Sequence, residues 1–431
     1  MNEEVVPAQL AKACADVTVA RPADAVGGRL ARYVAAPSST QETAALLTAA
    51  AELGLTVVPR GSGSRIDWGC PPESCDLVVD TRRLDAVLEH AAGDMVARVQ
   101  AGITLDALQH RLAEQGQRLA LDPQGGGTAG GLVATGVAGP LRLRYGAPRD
   151  LLIGITVVRA DGTVARAGGK VVKNVAGYDL GKLFAGSYGT LGLITEATFR
   201  LHPQPSATAY RSLDCADADA AAAAVQAAAG SPLAPSAVEL YWPSAASAVS
   251  VTVLLEGDDA GVAERAGRLD DLLAGPGAAS TGPASTGDGL AGHGRPSWWG
   301  FAGEPDQTVL RIGFWPGRLA EVLTAVRTAA AEARLDPAVA GAAAGGVLHV
   351  VLEHHVSVQA AEKFVAALRA GLTRPGTDMP EASAVVLHAP SKVRDAVDMW
   401  GPVPSAGLMR AIKDQFDPEH RMAPGRFAGG I

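Results

Sequence analysis

Cysteine is scarce in this chain. Four occur among 431 residues, Cys14, Cys70, Cys75 and Cys215, and only Cys70 and Cys75 stand near each other. That leaves no cluster of four thiolates for an iron–sulfur centre, and a zinc site would lack two of its ligands. Reduced, structural thiols follow. Positive charge is also short. The 37 Lys and Arg face 45 Asp and Glu, giving a net charge of −8, which argues against nucleic acid as a main partner because phosphates need a basic face. No apolar run reaches the ~18 residues that a spanning helix requires. The opening MNEEVVPAQL is acidic, without the basic-then-apolar order of a secretory signal. A cytoplasmic protein is expected, with membrane contact at most peripheral and made through partners. GxxxxGK[ST] is missing too, which removes a Walker-type phosphate loop.

Glycine, by contrast, is abundant where it matters. Residues 121–139, LDPQGGGTAGGLVATGVAG, hold seven glycines in nineteen positions and almost no charge. A run this dense is costly to order. It lets a main chain approach a ligand closely, with backbone N–H groups facing an anionic or flat cofactor. A second glycine turn, Arg60-Gly61-Ser62-Gly63-Ser64-Arg65, follows the apolar stretch 55–59. A strand, then small residues, then arginine is what a diphosphate needs, since small residues admit its oxygens and a guanidinium adds charge-assisted bonds. The stretch 125–130 is formally GxGxxG, with Asp150 twenty residues on. A dinucleotide-binding Rossmann turn is nevertheless discounted. Asp122-Pro123-Gln124 does not end a buried strand, and the glycines and Pro140 that follow are poor helix material.

Length implies two or three domains, and 48% hydrophobic residues can furnish their cores. A helix is expected over 1–20 and a short strand over 33–35. Ser39 and Glu42 then open a helix that runs on through 43–53. Strands follow over 55–59, 76–80 and 95–100. Thr104 caps a helix over 104–115, with Leu105, Leu108 and Leu112 on one face. The stretches 151–160 and 164–167 flank Asp161-Gly162 as a hairpin, and 193–201 is a further strand. Pro203 and Pro205 mark a domain exit. Within this half, 168–190 mixes Lys170, Lys173 and Lys182 with Tyr178 and Tyr188 and reads as a wall of the cofactor or substrate site.

Beyond residue 205 helices are expected over 216–229, 258–273, 319–334 and 359–372. Strands are expected over 237–241, 249–255, 309–314, 347–353 and 384–387. This alternation describes an α+β second domain. A short helix over 409–417 precedes an irregular tail. The segment 275–296 is rich in Gly, Ala, Ser and Thr and reads as a loop or linker; with Trp298-Trp299 beyond it, 275–300 is either a candidate partner contact or a disordered loop whose tryptophans fold into the local core.

Four stretches now carry a resemblance: PRGSGS at 59–64, VQAGITLDAL at 99–108, DPQGGGTAGGLVATGVAG at 122–139 and GSYGTLGLITEATFRLHP at 186–203. They resemble the FAD-binding domain of the vanillyl-alcohol oxidase (PCMH) type. KDQFDPEHRMAPGRF at 413–427 is similar to that family's closing motif. GKVVKNVAGYDLGKLFAGSYGTLG at 169–192 resembles more narrowly the FAD-binding E subunit of bacterial glycolate oxidase. The resemblance implies an α+β chain. A two-subdomain FAD-binding domain spans 1–204, an α+β, ferredoxin-like cap domain spans 205–407, and the tail 408–431 returns to the first. It implies FAD contacts at Arg60, Gly61, Ser62, Gly63 and Ser64 in the first turn. In the second it implies Asp122, Gly127, Thr128, Gly130, Gly131, Thr135 and Gly139. Gly192 and Ile194 would meet the flavin through their backbone, and Arg426 supplies the basic residue of the closing motif.

Two departures shape the expected function. Covalently flavinylated relatives carry a histidine in the first glycine turn, where this chain has Ser62 and Ser64, so FAD is expected to be noncovalent. Relatives that oxidise 2-hydroxy acids carry HxGDGNxH, whose histidines bind metal. The comparable stretch 345–350, GGVLHV, has His349 but no Asp and no paired histidine, and His354-His355 reads as a strand-end surface pair rather than a metal site. No catalytic residue is assigned, although Lys173, Tyr178 and Lys392 are available. The expectation is one flavin subunit of a glycolate (2-hydroxy acid) oxidase complex. Its partners would be a second FAD subunit, which holds the full hydroxy-acid site, and an iron–sulfur subunit. The alternatives are a stand-alone FAD oxidoreductase and a non-catalytic assembly subunit with a vestigial flavin site.

Overall fold

The computed structural model of the chain describes residues 7–169, 178–273, 294–301, 303–304, 306–373 and 381–431. A first sheet has four strands in the order Val17–Val19, Tyr33–Ala35, Leu77–Asp80 and Val57–Arg60. The last three run parallel, and Val17–Val19 lies antiparallel at the edge. The helix expected over 1–20 is therefore shorter, Ala8–Ala13, because the β-branched Val17, Thr18 and Val19 pair as a strand instead. The helix Thr40–Glu52 covers this sheet through Leu46, Leu47 and Ala50. Ser39 caps it by accepting the N–H of Glu42 at 3.0 Å.

A second, fully antiparallel sheet runs Val87–Ala91, Val96–Gln100, Leu193–Arg200, Leu152–Val158 and Val164–Gly168. Its first strand was not expected from the sequence, since VLEHA lacks a clean apolar alternation and is only half-buried. The helix Leu105–Ala113 packs Leu105, Leu108 and Leu112 into this core. The expectation that the glycine run is poor helix material is corrected. Ala129–Thr135 is a helix, capped by the Thr128 side chain and closed by Gly136 in the left-handed region at φ 64°. It still builds no Rossmann unit, because only an isolated bridge from Thr128 to Thr104 precedes it. The proline exit is also milder than expected, since His202–Pro203 pairs with Gln117–Arg118.

The tail closes back on the first sheet. Val57 donates its N–H to Arg421 at 2.8 Å, and Ala423 donates to Val57 at 2.8 Å. The helix Ala406–Phe416 presents Lys413 inward, where its fully buried Nζ donates to Asp417 Oδ2 at 2.7 Å, Thr190 O at 2.7 Å and Met422 O at 2.9 Å.

A third sheet has seven antiparallel strands, in the order Ala207–Cys215, Val249–Gly257, Ala237–Trp242, Ala338–Gly341, Val347–Val351, Val309–Gly313 and Ser383–His388. Ala207–Cys215 and Ala338–Gly341 were not anticipated. The last four strands with the helices Leu319–Ala333 and Val358–Gly371 form a split β-α-β-β-α-β unit of the ferredoxin-like type. The first three strands with Ala218–Ala229 and Asp259–Leu273 repeat that plan up to its fifth element. The two units join edge to edge at Leu240–Gly341, Tyr241–Ala340 and Trp242–Val339. All four helices cover one face through a shared core that includes Leu240, Leu310, Leu348 and Val350. Among the described residues no helix is long and apolar enough to cross a membrane.

Glu42 ties the helix Thr40–Glu52 to Ala15 and Ser38 and makes that contact pH-dependent. Burial pushes its carboxyl up, but the Ser38 N–H and hydroxyl and the Ala15 N–H outweigh this and hold it at about 2 against an ordinary 4.5. A depressed folded value means the stabilisation is complete above pH 4.5 and lost as pH falls through 2. Glu42→Gln is expected to cost about 1–2 kcal/mol at pH 7. Urea denaturation of both proteins should show the gap closing steadily between pH 4.5 and pH 2.

Candidate functional site

Two glycine turns meet in one cleft of about 710 Å³, part of it open to solvent. The strand Val57–Arg60 delivers Gly61, Ser62, Gly63 and Ser64 to one wall. Gly127, Thr128, Gly130, Gly131 and Thr135, at the start and along the helix Ala129–Thr135, form the facing wall. The turns touch closely. A Cβ on Gly61 would collide with Thr128 Oγ1, and one on Gly130 would come within 2.7 Å of Ala101 Cβ. Thr128 cannot retreat, for it is buried and its Oγ1 accepts the Gly131 N–H at 3.3 Å. Gly192, Ile194 and Arg426 complete the lining.

Thirteen of the fifteen residues named from sequence line this cleft; Asp122 and Gly139 do not. Gly139 packs against Asp122, where a side chain would strike the Asp122 carbonyl, and it lines a neighbouring cleft. Burial raises the Asp122 carboxyl to about 6, against the downward pull of the Leu141 N–H it accepts at 3.0 Å. This pair shapes the loop rather than the cleft. Arg60 also needs correction. Its guanidinium, expected at the diphosphate, reaches Asp24 at 2.9 Å and Asp80 at 3.2 Å. Arg65 takes the exposed role. It lies over Trp68 and donates to Gly126 O at 2.7 Å and Gln124 O at 2.6 Å, while its buried Nε has no partner. Burial lowers its pKa to about 10.

Sequence reasoning included Arg65 at the end of the diphosphate turn but did not carry it into the named contacts. Tyr188, named only as part of a wall, sits in the cleft at φ 55° with its buried hydroxyl unpartnered. A non-glycine residue in that region is strained, which is frequent at ligand-binding positions. Arg426 donates to Ile66 O and leaves its buried Nε without a partner. Among the described residues the cleft thus presents buried donors that no acceptor satisfies, the condition for taking up an acceptor-rich group such as a diphosphate.

A second cleft, about 460 Å³ with part of it open to solvent, lies between this half of the chain and the face of the third sheet away from its helices. Arg65 lines both clefts. Cross-strand register puts Arg311, His349, Ala340 and Tyr241 in one row of that face, and Glu239 follows two residues from Tyr241. Glu239 and His349 sit in the apolar runs AVELYW and VLHVV, where a charge or imidazole was itself a readable signal. A buried bidentate pair beside the cleft, Arg118 to Glu256 at 2.8 Å on each arm, fastens the two halves together, with Tyr145 donating to Glu256 at 3.1 Å.

The remaining candidates fall elsewhere. Lys173, with all of 170–177, lies outside the described residues, as do 274–293 of the loop or linker. Tyr178 is 90% exposed and Lys392 is exposed, and neither lines a cleft described here. Of the two readings of Trp298-Trp299, packing into the local core holds and the partner contact does not. Trp299 is buried with Leu141, Ala237 and Leu254, and Trp298 stacks on Tyr241 at 5.1 Å, so both fill the seam between the halves. His354 is exposed with Nδ1 3.1 Å from Asp306.

The Gly61–Thr128 contact yields a direct test. Gly61→Ala should push Thr128 off the helix N-terminus and cost about 1–2 kcal/mol, read by urea denaturation, and lower the ratio of flavin to protein absorbance. Gly93→Ala, whose added methyl meets nothing within 4 Å, should stay within about 0.5 kcal/mol of wild type.

Comparison with known proteins agrees with this geometry. A family model described as FAD binding domain matches residues 31–168. Over 175 residues the chain is 41% identical to glycolate oxidase subunit GlcD of Bacillus subtilis, covering 40% of this chain and 37% of that protein. Over 174 residues it is 38% identical to D-lactate dehydrogenase of Archaeoglobus fulgidus, covering 40% and 39% respectively. These matches span well under half of either relative. A solved structure of alkyldihydroxyacetonephosphate synthase superposes with a TM-score of 0.68 over 92% of this chain and 76% of that one, at 19% identity, which speaks to the fold alone. Residues 31–168 are thus similar to an FAD binding domain.

Proposed function

We propose that this chain is a flavoprotein subunit that takes part in oxidising a small 2-hydroxy acid, glycolate first among the candidates. The observation that supports it is the convergence of two Cβ-excluding glycine turns and unpartnered arginine donors on one cleft of an FAD binding domain. In this reading the N–H groups and hydroxyls of residues 61–64 and 127–131 hold the diphosphate, with Arg426 and Arg65 supplying positive charge. Gly192 and Ile194 leave a flat ring access to the backbone. FAD itself supplies the two-electron acceptor. No histidine stands in the first turn, so the cofactor is held without a covalent bond. The substrate class comes from the names of the relatives, a glycolate oxidase subunit and a D-lactate dehydrogenase.

Electrons must also leave the flavin. The chain's cysteines are free thiols, and the three buried ones, Cys14, Cys75 and Cys215, are divided among separate cores. Onward transfer is therefore assigned to partners, a second FAD subunit and an iron–sulfur subunit.

The test is to purify the chain alone and with those candidate partners. Alone it should show a flavin spectrum, release the yellow colour to the supernatant on acid precipitation, and give little glycolate-dependent dye reduction. Turnover should appear with the partners. Robust turnover by the chain alone would replace this reading with a stand-alone oxidoreductase, and a colourless protein would leave an assembly subunit with a vestigial site.

A further inference from the structure

Tyr188 is held in the flavin cleft by contacts on every side. It stands at φ 55°, and a tyrosine keeps such a backbone only where its surroundings over-determine it. Here they do. Thr190 donates its N–H at 3.0 Å and its hydroxyl at 2.7 Å to Ser187 O, closing the backbone around Tyr188. Thr190 O in turn accepts from the buried Lys413 at 2.7 Å. The Tyr188 N–H donates to Ala134 O at 2.8 Å. Trp400 meets the ring edge-on at 5.3 Å and Phe427 lies at 5.8 Å. A Cβ on Gly69 would come within 3.1 Å of Trp400 and 3.6 Å of the Tyr188 ring, so the main chain there packs against both.

All of this fixes a hydroxyl that has nothing to bind. Tyr188 is 6% exposed, and its Oη has no hydrogen-bond partner among the described residues. The rings against it supply no strong acceptor, since an indole N–H only donates. The charged groups that act on it are the guanidiniums of Arg311, Arg426 and Arg65, which also only donate. Burial raises the phenol's pKa against the pull of those arginines, so it keeps a proton to give. The missing partner is an acceptor, and a buried donor left without one is costly. Tyr188 lines the cleft with Gly192, Ile194 and Arg426, the part assigned above to the flat ring. An isoalloxazine has carbonyl oxygens and bare ring nitrogens along one edge and apolar atoms along the other, which suits a phenol set among aromatic rings.

We propose that the Tyr188 hydroxyl donates a hydrogen bond to the polar edge of the flavin ring and thereby raises the flavin's reduction potential. This rests on the reading of the chain as a flavoprotein. Two-electron reduction adds negative charge to that edge, and a hydrogen bond to a charged acceptor is stronger than one to a neutral acceptor. The donor therefore favours the reduced ring over the oxidised one.

The experiment is spectroelectrochemical titration of the flavin-loaded chain, together with the flavin carbonyl bands in its infrared spectrum. Tyr188→Phe removes only the hydroxyl. It should shift the balance toward the oxidised form about tenfold, a fall of about 30 mV for a two-electron couple, and move a carbonyl band to higher frequency. Tyr188→Asn, which suits the left-handed backbone but is shorter, should show the same fall and gives the reading if the Phe variant does not fold. Tyr178→Phe, on a ring that is 90% exposed, should match wild type in both measurements. A flavinated wild type whose potential and bands are unchanged by Tyr188→Phe would overturn the proposal and leave the flavin reading intact. Weaker FAD binding with unchanged potential and bands would move the hydroxyl to the diphosphate and equally overturn it. A colourless wild type would defeat the flavin reading and the proposal with it.

Discussion

One buried ammonium holds the flavin half of this protein together. Lys413 has no exposure, and its three donors go to the tail itself, through Asp417 and Met422, and to the loop before the strand Leu193–Arg200, through Thr190. Burial lowers its pKa, and the Asp417 and Asp414 carboxylates pull it back up. An ion pair with no water around it survives only when every donor is satisfied, and removing one partner typically costs about 3–5 kcal/mol. Satisfying Lys413 fixes where Met422 and Ala423 lie beside Val57, which sets the position of Arg426 in the cleft. The cleft therefore depends on a contact made outside it.

Much of the flavin half was legible because its signals are local. Ser39 and Thr104 are caps with apolar helical faces behind them, and both helices form where those signals place them. The two glycine turns could be read as close approaches, although what they approach could not. Gly61 is glycine because of Thr128, and Gly130 because of Ala101, contacts across 67 and 29 residues of sequence. The helix Ala129–Thr135 was missed for the same reason. Propensity counts glycine against a helix, whereas here tight packing and the Thr128 cap prevail. Arg60 was misjudged because its partners, Asp24 and Asp80, come from distant parts of the chain.

The cap half was less legible. Ala338–Gly341, which joins the two units, is only four residues long and has no alternation to betray it. The second cleft and the row of side chains beside it exist only once the seven strands are in register, since Arg142, Glu239, Arg311 and His349 come from four elements. What the sequence did show was each of the last three as a polar residue inside an apolar run, and a buried polar residue is more informative than an exposed apolar one.

The join between the two units of the third sheet carries a mechanical consequence. Leu240, Tyr241 and Trp242 share their ladder with Ala338–Gly341, and all four covering helices draw on one core. Neither unit can open while the other stays closed, because opening either one strips the seam strands and exposes the common core. A domain built on a repeated plan thus behaves as a single cooperative unit. The row of Arg311, His349, Ala340 and Tyr241 crosses that seam, so its geometry is as stable as the domain as a whole.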